Sequence, residues 1–437
     1  MTVRRVRHDR LAVISILVVL VVGACDSSNP SGTPATPTPA PTATPAAPPS
    51  ETPSPTPASS AGPDAADAVY DTIEEQVIAM RGLAPEGTVE RQTIDEGELE
   101  ALVRQMSAEE TPPEFIAAQE RLYMALGLLP ADASLEDLTI ELLSGGVAGF
   151  YRDDQKQLYV VSRTGAVGAT EKITFAHEYT HALQDQHFTV FADQDGVNDR
   201  SDWILARQAV YEGDATLLMT LWASQHFTPQ DFSELLAAGA NDPSTQMLER
   251  MPAILRETLL YPYTTGLVFA QGVYVGGNWA AIDTLYADLP ESTEQIMHAD
   301  KWAAREAPLD VQLPDDLAAS LGSGWSVAIE DTFGEFQLGI WLREAEVDGA
   351  ETAAAGWGGD RAAVVNGPGG RWGVAWATEW DSAADAAEFD TAAAAAVSGL
   401  RDPARVLPGA GGTARWILVA SDDATLGTLA GALGLAG

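Results

Sequence analysis

The pattern of hydrophobic and polar positions divides the chain into four stretches. Residues 1–24 combine a basic start with an apolar run, and residues 25–63 carry almost no large apolar side chains. From residue 64 to residue 303 the apolar positions recur mostly at helical spacing, whereas residues 304–437 mix helix-like and strand-like stretches. This pattern predicts an α+β protein, in which a mostly helical region with a short sheet precedes a small C-terminal α+β appendage.

Apolar residues three and four positions apart mark the helices. This spacing predicts helices over residues 65–81, 99–106, 115–128, 201–224, 325–343, 383–400 and 424–435. A further helix carries His177 and continues towards His187. Thr170 is placed to cap the first turn of that helix, because a threonine hydroxyl can accept a hydrogen bond from a free backbone N–H.

The strand-like stretches are short. The pattern predicts strands over residues 147–151, 157–162, 362–366, 372–378 and 416–420. The first two flank a turn at Asp153 and Asp154, and the third and fourth flank the glycine-rich turn 367–370. Residues 357–360, Trp-Gly-Gly-Asp, have no metal-ligand spacing and are expected to form a turn.

The charge of the chain argues against two classes of partner. It has 63 acidic and 24 basic residues, which give a formal net charge of −39. Nucleic acids and anionic lipid headgroups are bound by clustered Lys and Arg side chains. We therefore expect no nucleic-acid partner, and we attribute the acidity to solubility.

The first 24 residues resemble the signal peptide of a bacterial lipoprotein. Four arginines precede an apolar run from Leu11 to Val22 that is too short for a typical transmembrane helix. The run ends in Gly23-Ala24-Cys25, and small residues directly before a cysteine resemble a lipobox. The resemblance implies cleavage before Cys25, lipidation of Cys25 and an extracytoplasmic protein anchored to the cell membrane. The alternative is an ordinary signal peptide with an incidental cysteine.

Residues 26–63 are rich in Pro, Thr, Ala and Ser. Such a segment cannot bury enough apolar surface to offset the entropy lost on ordering. Together with Cys25 it is therefore predicted to form a disordered tether over residues 25–63, which would hold a folded domain away from the membrane.

His177, Glu178 and His181 form a His-Glu-x-x-His motif. Residues four apart lie on one face of a helix, so the two histidines can bind one Zn²⁺ together. Zinc lowers the pKa of a bound water, and Glu178 is placed to take the proton of that water and pass it to a leaving amine. The uncharged residues around the motif indicate a buried helix. The alternative interpretation is two solvated or core histidines.

A catalytic zinc takes three protein ligands and keeps one position open. His187 stands six residues after His181, the metzincin spacing, but Gln184 occupies the position where metzincins have Gly. A continuing helix would carry His187 away from the metal-binding face. Glu212 lies on the next long helix, where gluzincins place a glutamate ligand, so we favour Glu212 over His187. Asp214 is expected to be a partner of a ligand histidine or a solvated residue.

Five segments resemble a family of poorly characterised bacterial proteins in the gluzincin-type metallopeptidase group. They are GFYRDDQKQLYVV (149–161), FAHEYTHALQDQHF (175–188), YEGDATLLM (211–219), STEQIMHADKW (292–302) and GWGGDR (356–361). The resemblance spans most of the chain after the tether. It implies a zincin-like catalytic domain over residues 64–303 with a Zn²⁺ cofactor and a peptide or protein substrate.

Zinc peptidases usually polarise the scissile carbonyl with a His or Tyr donor beside the metal, and His298 and Tyr263 are the candidates here. In the family pattern, Pro follows the histidine that corresponds to His298, whereas this chain has Ala299 there. The departure keeps His298 and affects only the turn around it. The predicted strand 147–151 is a candidate for binding substrate by edge pairing.

The sequence favours a membrane-anchored zinc metallopeptidase. Two other hypotheses remain open: a non-catalytic or cell-wall-binding lipoprotein on a zincin fold, and a hydrolase of another amide substrate. Metal chemistry alone does not separate them, because amide hydrolases share it. The sequence gives no prediction of the oligomeric state.

Overall fold

A computed structural model of the protein describes residues 15–16, 63–188, 190, 194, 197–240 and 242–435. The helices are α1 Pro63–Arg81, α2 Glu96–Glu110, α3 Pro113–Ala125, α4 Leu135–Gly146, α5 Ala169–Phe188, α6 Ser201–His226, α7 Pro229–Ala240, α8 Pro243–Arg250, α9 Ala253–Leu285, α10 Thr293–Met297, α11 Ala299–Ala304, α12 Leu317–Leu321, α13 Gly334–Glu344, α14 Ala350–Ala354, α15 Ala383–Ser398 and α16 Asp423–Ala432. The strands are β1 Ser15–Ile16, β2 Glu90–Ile94, β3 Gly149–Arg152, β4 Gln157–Val161, β5 Ser326–Asp331, β6 Trp357–Asn366, β7 Trp372–Trp380, β8 Ala404–Pro408 and β9 Arg415–Ala420. The α+β class predicted from the sequence is confirmed.

The first sheet has the strand order β1-β3-β4-β2. Strands β3 and β4 form the predicted antiparallel hairpin, with Tyr151 opposite Leu158. Strand β2 runs parallel to β4 on the other side. On the outer edge of β3, Ser15 and Ile16 pair antiparallel with Tyr151 and Phe150. The sequence pattern misses β2, because most of its side chains are exposed and it lacks an apolar period.

Helix α5 packs between this hairpin and helix α6. Its buried face merges with those of α1 and α6 in one apolar cluster, which includes Val77, Phe175, Leu183 and Ala209. Tyr70 of α1 stacks on Phe175 with ring centroids 4.3 Å apart. The packing leaves α5 enclosed on several sides, which agrees with the uncharged sequence around its two histidines.

The second sheet is antiparallel throughout, in the order β5-β6-β7-β9-β8. Alternate side chains of its central strands point to opposite faces, as the two-residue period of a strand requires. Trp376 and Val364 pack with α13 and α15 on one face. Ala375 and Val365 pack with α12 and α16 on the other. Helices therefore cover both faces of this sheet.

The C-terminal sheet shares a core with the helices that precede it. Leu122 of α3 and Ile254 of α9 belong to the same apolar cluster as Trp341 and Trp376. The indole N–H of Trp341 also donates to the carbonyl oxygen of Leu126 at 3.1 Å. Residues 304–435 are thus packed against the first region through a continuous core.

Three local predictions are wrong. Residues 325–343 are not one helix: Ser326–Asp331 form β5, and Gly334 at φ +69° begins α13. Thr170 does not cap α5, since the helix begins at Ala169, and the carboxylate of Glu171 instead accepts from the backbone N–H of Gly168 at 2.9 Å. The turn expected at residues 357–360 is the start of β6.

The acidic residue at the start of β6, Asp360, connects this strand to the start of helix α13. Asp360 is buried and accepts hydrogen bonds from the backbone N–H groups of Phe333 and Gly334, each at 2.9 Å. It also accepts from the indole N–H groups of Trp357 and Trp376. These bonds hold the first turn of α13 against the sheet.

Cys25 and residues 26–62 of the expected tether lie outside the described residues, as does most of the signal peptide, and Pro63, the last residue assigned to the tether, begins α1. Within the described part of the chain, no helix has both the length and the apolar character needed to cross a membrane.

Candidate metal centre

Helix α5 places His177, Glu178 and His181 in the interior, where each is 0% exposed. The helix is continuous through the motif, because residues Ala169–Phe188 contain neither Pro nor Gly. The two imidazole rings lie one turn apart, with centroids separated by 4.6 Å. Both rings point towards α6.

Helix α6 brings Glu212 to these rings. Oε2 of Glu212 lies 3.0 Å from Nε2 of His177 and 3.2 Å from Nε2 of His181. The two Nε2 atoms are 3.0 Å from each other. One atom from each of the three side chains therefore converges on a single buried point, and this group could hold a metal ion.

The separations fit a small tetrahedral ion. Ligand bonds of 2.0–2.1 Å at tetrahedral angles place the ligand atoms about 3.3 Å apart. The observed separations of 3.0, 3.0 and 3.2 Å are close to this value. Two imidazoles and a carboxylate suit zinc and other transition metals, whereas Ca²⁺ and Mg²⁺ prefer oxygen ligands alone.

The protonation states also suit metal binding. Burial lowers the pKa of His177 to about 4, and the neighbouring His181 contributes to the shift. Burial alone would raise the pKa of Glu212, but the two histidines, when they are protonated, lower it to about 2 through their charge and their hydrogen bonds. A neutral imidazole and an ionised carboxylate are the forms that bind a metal ion.

Glu178 lies between the metal helix and the hairpin. A Cβ atom on Gly149 of β3 would lie 3.2 Å from Cγ of Glu178, so β3 passes directly beside this side chain. Burial and the charge of Glu212 raise the pKa of Glu178 well above its usual range, and a hydrogen bond from the backbone of Tyr151 opposes the shift. No side chain of the described residues hydrogen-bonds its carboxylate oxygens.

The close crossing of α6 and α9 places Tyr263 beside the ligands. A Cβ atom on Gly213 would lie 2.3 Å from the carbonyl oxygen of Gly266, so neither helix could carry a side chain at the contact. Tyr263, one turn before Gly266, has its ring centroid 6.1 Å from that of His177. Tyr263 is 8% exposed. The crossing thus sets the positions of Glu212 and Tyr263 relative to α5.

Two other candidate residues lie outside the three-residue group. Nε2 of His187 contacts the carbonyl oxygen of Ala84 at 2.7 Å. His298, between α10 and α11, contacts both carboxylate oxygens of Glu335 at 2.8 and 2.9 Å. No described hydrogen bond links either histidine to the converging ligand atoms. The role of His298 as a carbonyl donor stays a prediction.

Sequence reasoning missed Gln184, which entered only as the residue that replaces a metzincin glycine. Its Oε1 lies 2.8 Å from Nδ1 of His181. Its Nε2 donates to Oδ2 of Asp214 at 3.0 Å. Asp214 is 0% exposed, so the solvated alternative is excluded, and it reaches the ligand histidine through Gln184. The one signal available from the sequence was the position of Gln184, three residues after His181.

A second acidic group in the described chain consists of Glu294, Glu306 and Asp381. The ammonium of Lys301 lies among these carboxylates, at 3.2 Å from Glu294 and 2.5 Å from Asp381. A cation of the chain itself therefore already lies in this group, and two of its three residues, Glu306 and Asp381, are exposed.

Comparison with known proteins gives one match. Residues 326–429 match the model of a domain of unknown function, DUF8575, which covers β5 to α16 and leaves the candidate metal centre outside. Neither the search of curated proteins nor the search of solved structures found a match.

Proposed function

We propose that the protein is a zinc-dependent metallopeptidase. The observation that supports this most strongly is the convergence of His177, His181 and Glu212 in the interior, with Glu178 on the same helix. A solvated or purely structural pair of histidines would not require a buried carboxylate within 3.2 Å of both rings. Burying a charge of this kind is costly unless it is paired or binds a metal.

His177, His181 and Glu212 would hold the zinc ion. Bound zinc would supply a Lewis acid that acidifies a water and polarises a carbonyl group. Glu178 acts as the base: it takes a proton from the attacking water and delivers it to the nitrogen of the leaving amine. Tyr263, beside His177, is the better placed of the two candidate donors to the carbonyl oxygen.

We propose the outer edge of β3 as the binding site for an extended peptide. This strand runs beside Glu178, and its edge pairs antiparallel with Ser15–Ile16. Those two residues belong to the expected signal peptide, so cleavage before Cys25 would leave the edge open. A substrate strand would form the same main-chain hydrogen bonds, which recognise a peptide without regard to most of its side chains.

The proposed location is the outer side of the cytoplasmic membrane. It is supported by the arginine-rich start, the apolar run and the single cysteine Cys25 after Gly23-Ala24. The Pro- and Thr-rich tether would separate the folded part from the lipid anchor.

Metal analysis of the purified protein, combined with cleavage of an unbiased peptide library, tests the proposal. We expect one zinc ion per chain, peptide cleavage that stops when a chelator removes the metal, and recovery on adding zinc. A chain that binds no zinc would overturn the proposal. Bound zinc without cleavage of any library peptide would instead favour a non-catalytic lipoprotein.

A further inference from the structure

A chain of buried hydrogen bonds leads from His181 away from the ligand cluster. Nδ1 of His181 contacts Oε1 of Gln184 at 2.8 Å, and Nε2 of Gln184 donates to Oδ2 of Asp214 at 3.0 Å. The same carboxylate oxygen accepts from Nη2 of Arg81 at 3.2 Å and from the hydroxyl of Tyr286 at 2.7 Å. Gln184, Asp214 and Arg81 are at most 1% exposed.

The amide group of Gln184 can point in only one direction. Its Nε2 faces two acceptors, the carbonyl oxygen of Tyr211 at 3.0 Å and the carboxylate of Asp214. A reversed amide would place Oε1 against both oxygens, where acceptor faces acceptor, and would leave the buried Oε1 without a donor on that side. Buried polar groups left without a partner cost about 1–3 kcal/mol each. Oε1 therefore faces His181.

This orientation fixes the tautomer of His181. A carbonyl oxygen only accepts hydrogen bonds, so Nδ1 of His181 carries a proton. In the neutral imidazole, which is the form that binds a metal ion, the lone pair then lies on Nε2. Nε2 is the atom that lies 3.2 Å from Glu212. His177 differs, since no described residue hydrogen-bonds its Nδ1. Of the two imidazoles, only His181 is thus oriented by an outer hydrogen bond.

Arg81 anchors the far end of the chain of bonds. It lies in the last turn of α1, and its Nη1 donates to Oδ1 of Asp283 at 2.6 Å. Its guanidinium carbon lies 4.9 Å from the ring centroid of Trp279. The guanidinium of Arg81 pairs with the carboxylate of Asp214 in the interior, and Oδ2 of that carboxylate accepts from the amide of Gln184.

We propose that Arg81, Asp214 and Gln184 form a positioning relay that fixes the Nδ1–H tautomer of His181 and so raises the affinity of the metal centre. The inference rests on the proposed function, because it takes His181 as a ligand. The three residues touch neither metal nor substrate. Since α1 is the first folded element after the expected tether, the relay couples metal affinity to the docking of α1.

The direct test replaces Gln184 with methionine, which has a similar volume and no amide. The Zn²⁺ dissociation constant of the full chain, measured by competition with a chelator, should rise about 10- to 100-fold. Gln337→Met is the matched control, because Gln337 is 5% exposed and hydrogen-bonds Thr258, away from the relay. Its zinc affinity should stay within about twofold of the wild-type value. Unchanged affinity in Gln184→Met would overturn the relay.

Rescue by a conservative substitution separates positioning from simple destabilisation. Arg81→Met should weaken zinc binding about tenfold, and Arg81→Lys should recover most of that loss because it retains the charge beside Asp214. Arg415→Met, which removes an arginine of the second sheet that is also buried, at 7% exposed, should leave zinc affinity unchanged. Tyr286→Phe removes the hydroxyl that donates to Asp214. It serves as the test variant if Arg81→Met does not fold. Equal affinity in all these variants would contradict the proposal.

The tautomer can be observed without metal or turnover. In metal-free protein with ¹⁵N-labelled histidine, long-range ¹H–¹⁵N spectra should show His181 as the Nδ1–H form, and Gln184→Met should introduce the Nε2–H form. If Gln184→Met has the same tautomer and the same zinc affinity as the wild type, the relay is wrong. The proposed function still stands in that case, provided that the wild type binds zinc. A wild-type chain without zinc affinity would mean that the proposed function itself fails.

Discussion

At the scale of single residues, the identity of the third ligand decides which kind of site the protein has. Glu212 is 35 residues from His177 in the chain, yet its carboxylate lies 3.0 Å from that imidazole. His187 is closer in sequence, but its Nε2 contacts the carbonyl oxygen of Ala84 at 2.7 Å instead. Helix α5 runs on to Phe188 without the turn that would bring His187 back.

Replacing these two residues separates the alternatives. Glu212→Ala should reduce bound zinc to a small fraction of one ion per chain, because it removes a charged ligand and leaves two histidines. His187→Ala should retain the full zinc content. Both are measured by elemental analysis after dialysis. The reverse result, with zinc lost in His187→Ala alone, would establish a metzincin-like site and contradict the gluzincin-like assignment.

The residues of the site differ in how far the sequence could predict them. His177, Glu178 and His181 are related by helix geometry alone, so their spacing carries the information. Glu212 could be predicted as a ligand once a second long helix was expected after α5. Arg81 and Asp214 are 133 residues apart in the chain, and their contact depends on how α1 docks against α6. No local pattern encodes such a contact, so the outer hydrogen bonds of the site were missed.

At the scale of secondary-structure elements, the crossing of α6 and α9 sets the geometry of the centre. Gly213 follows Glu212 directly, and Gly266 lies one turn after Tyr263. The two helices meet backbone to backbone at these glycines. The glycine in the segment YEGDA therefore has a packing function that adjoins the ligand position.

Gly213→Ala should destabilise the protein by about 1–3 kcal/mol, because its new Cβ would lie 2.3 Å from the carbonyl oxygen of Gly266 and force the helices apart. We also expect weaker zinc binding, since Glu212 would move with α6. Urea unfolding and a zinc titration measure the two effects. Gly272→Ala on α9 is the control: nothing lies within 4 Å of its Cβ, so the change should be neutral or stabilising by up to about 1 kcal/mol.

Wild-type stability in Gly213→Ala, together with unchanged zinc affinity, would show that the crossing does not constrain the site.

The prediction of elements from the sequence succeeded where the apolar period was strong. The hairpin β3–β4, the long helix α6, the second half of β6 and the strands β7 and β9 follow from their patterns. Strand β2 was missed because it is mostly exposed. The pattern predicts a helix where β5 lies, because the apolar residues of β5 adjoin those of α13. The division between them depends on Gly334, where a side chain would overlap Asp202.

At the scale of the whole molecule, the C-terminal region is joined to the rest through core packing and buried carboxylates. Asp202 at the start of α6 accepts from the backbone and side chain of Thr293 at 3.1 and 2.5 Å. Burial raises its pKa to about 7, with the hydrogen bonds from Thr293 opposing and the charges of Asp360 and Glu335 adding to the rise. Some of the acidic residues of this protein, such as Asp202, Asp360 and Glu335, are therefore buried in its interior and not exposed to solvent.

This cluster predicts a pH dependence of stability. A carboxyl whose pKa is raised on folding binds more protons in the folded state, so its contribution is present at low pH and is lost as pH rises through about 7. From pH 6 to pH 8, Asp202 should account for a loss of roughly 1 kcal/mol in the free energy of unfolding. Urea unfolding at both pH values, in wild type and Asp202→Asn, measures it.

Asp202→Asn should lose less stability over this range, since its amide oxygen still accepts from Thr293 and does not titrate. His177, whose pKa is lowered to about 4, acts in the opposite direction mainly below this range, and it cancels in the comparison of the two proteins. An equal loss in wild type and variant would show that Asp202 does not titrate in this window.

The zinc content and peptide turnover of Glu178→Gln test directly whether Glu178 is the base of a zinc peptidase. Glutamine keeps the size of the side chain and cannot act as a base, and Glu178 is not one of the three converging ligands. Glu171→Gln, on the same helix, is the control and should retain activity. We predict one zinc ion per chain and no detectable peptide cleavage in Glu178→Gln. Wild-type turnover in that variant would contradict the account.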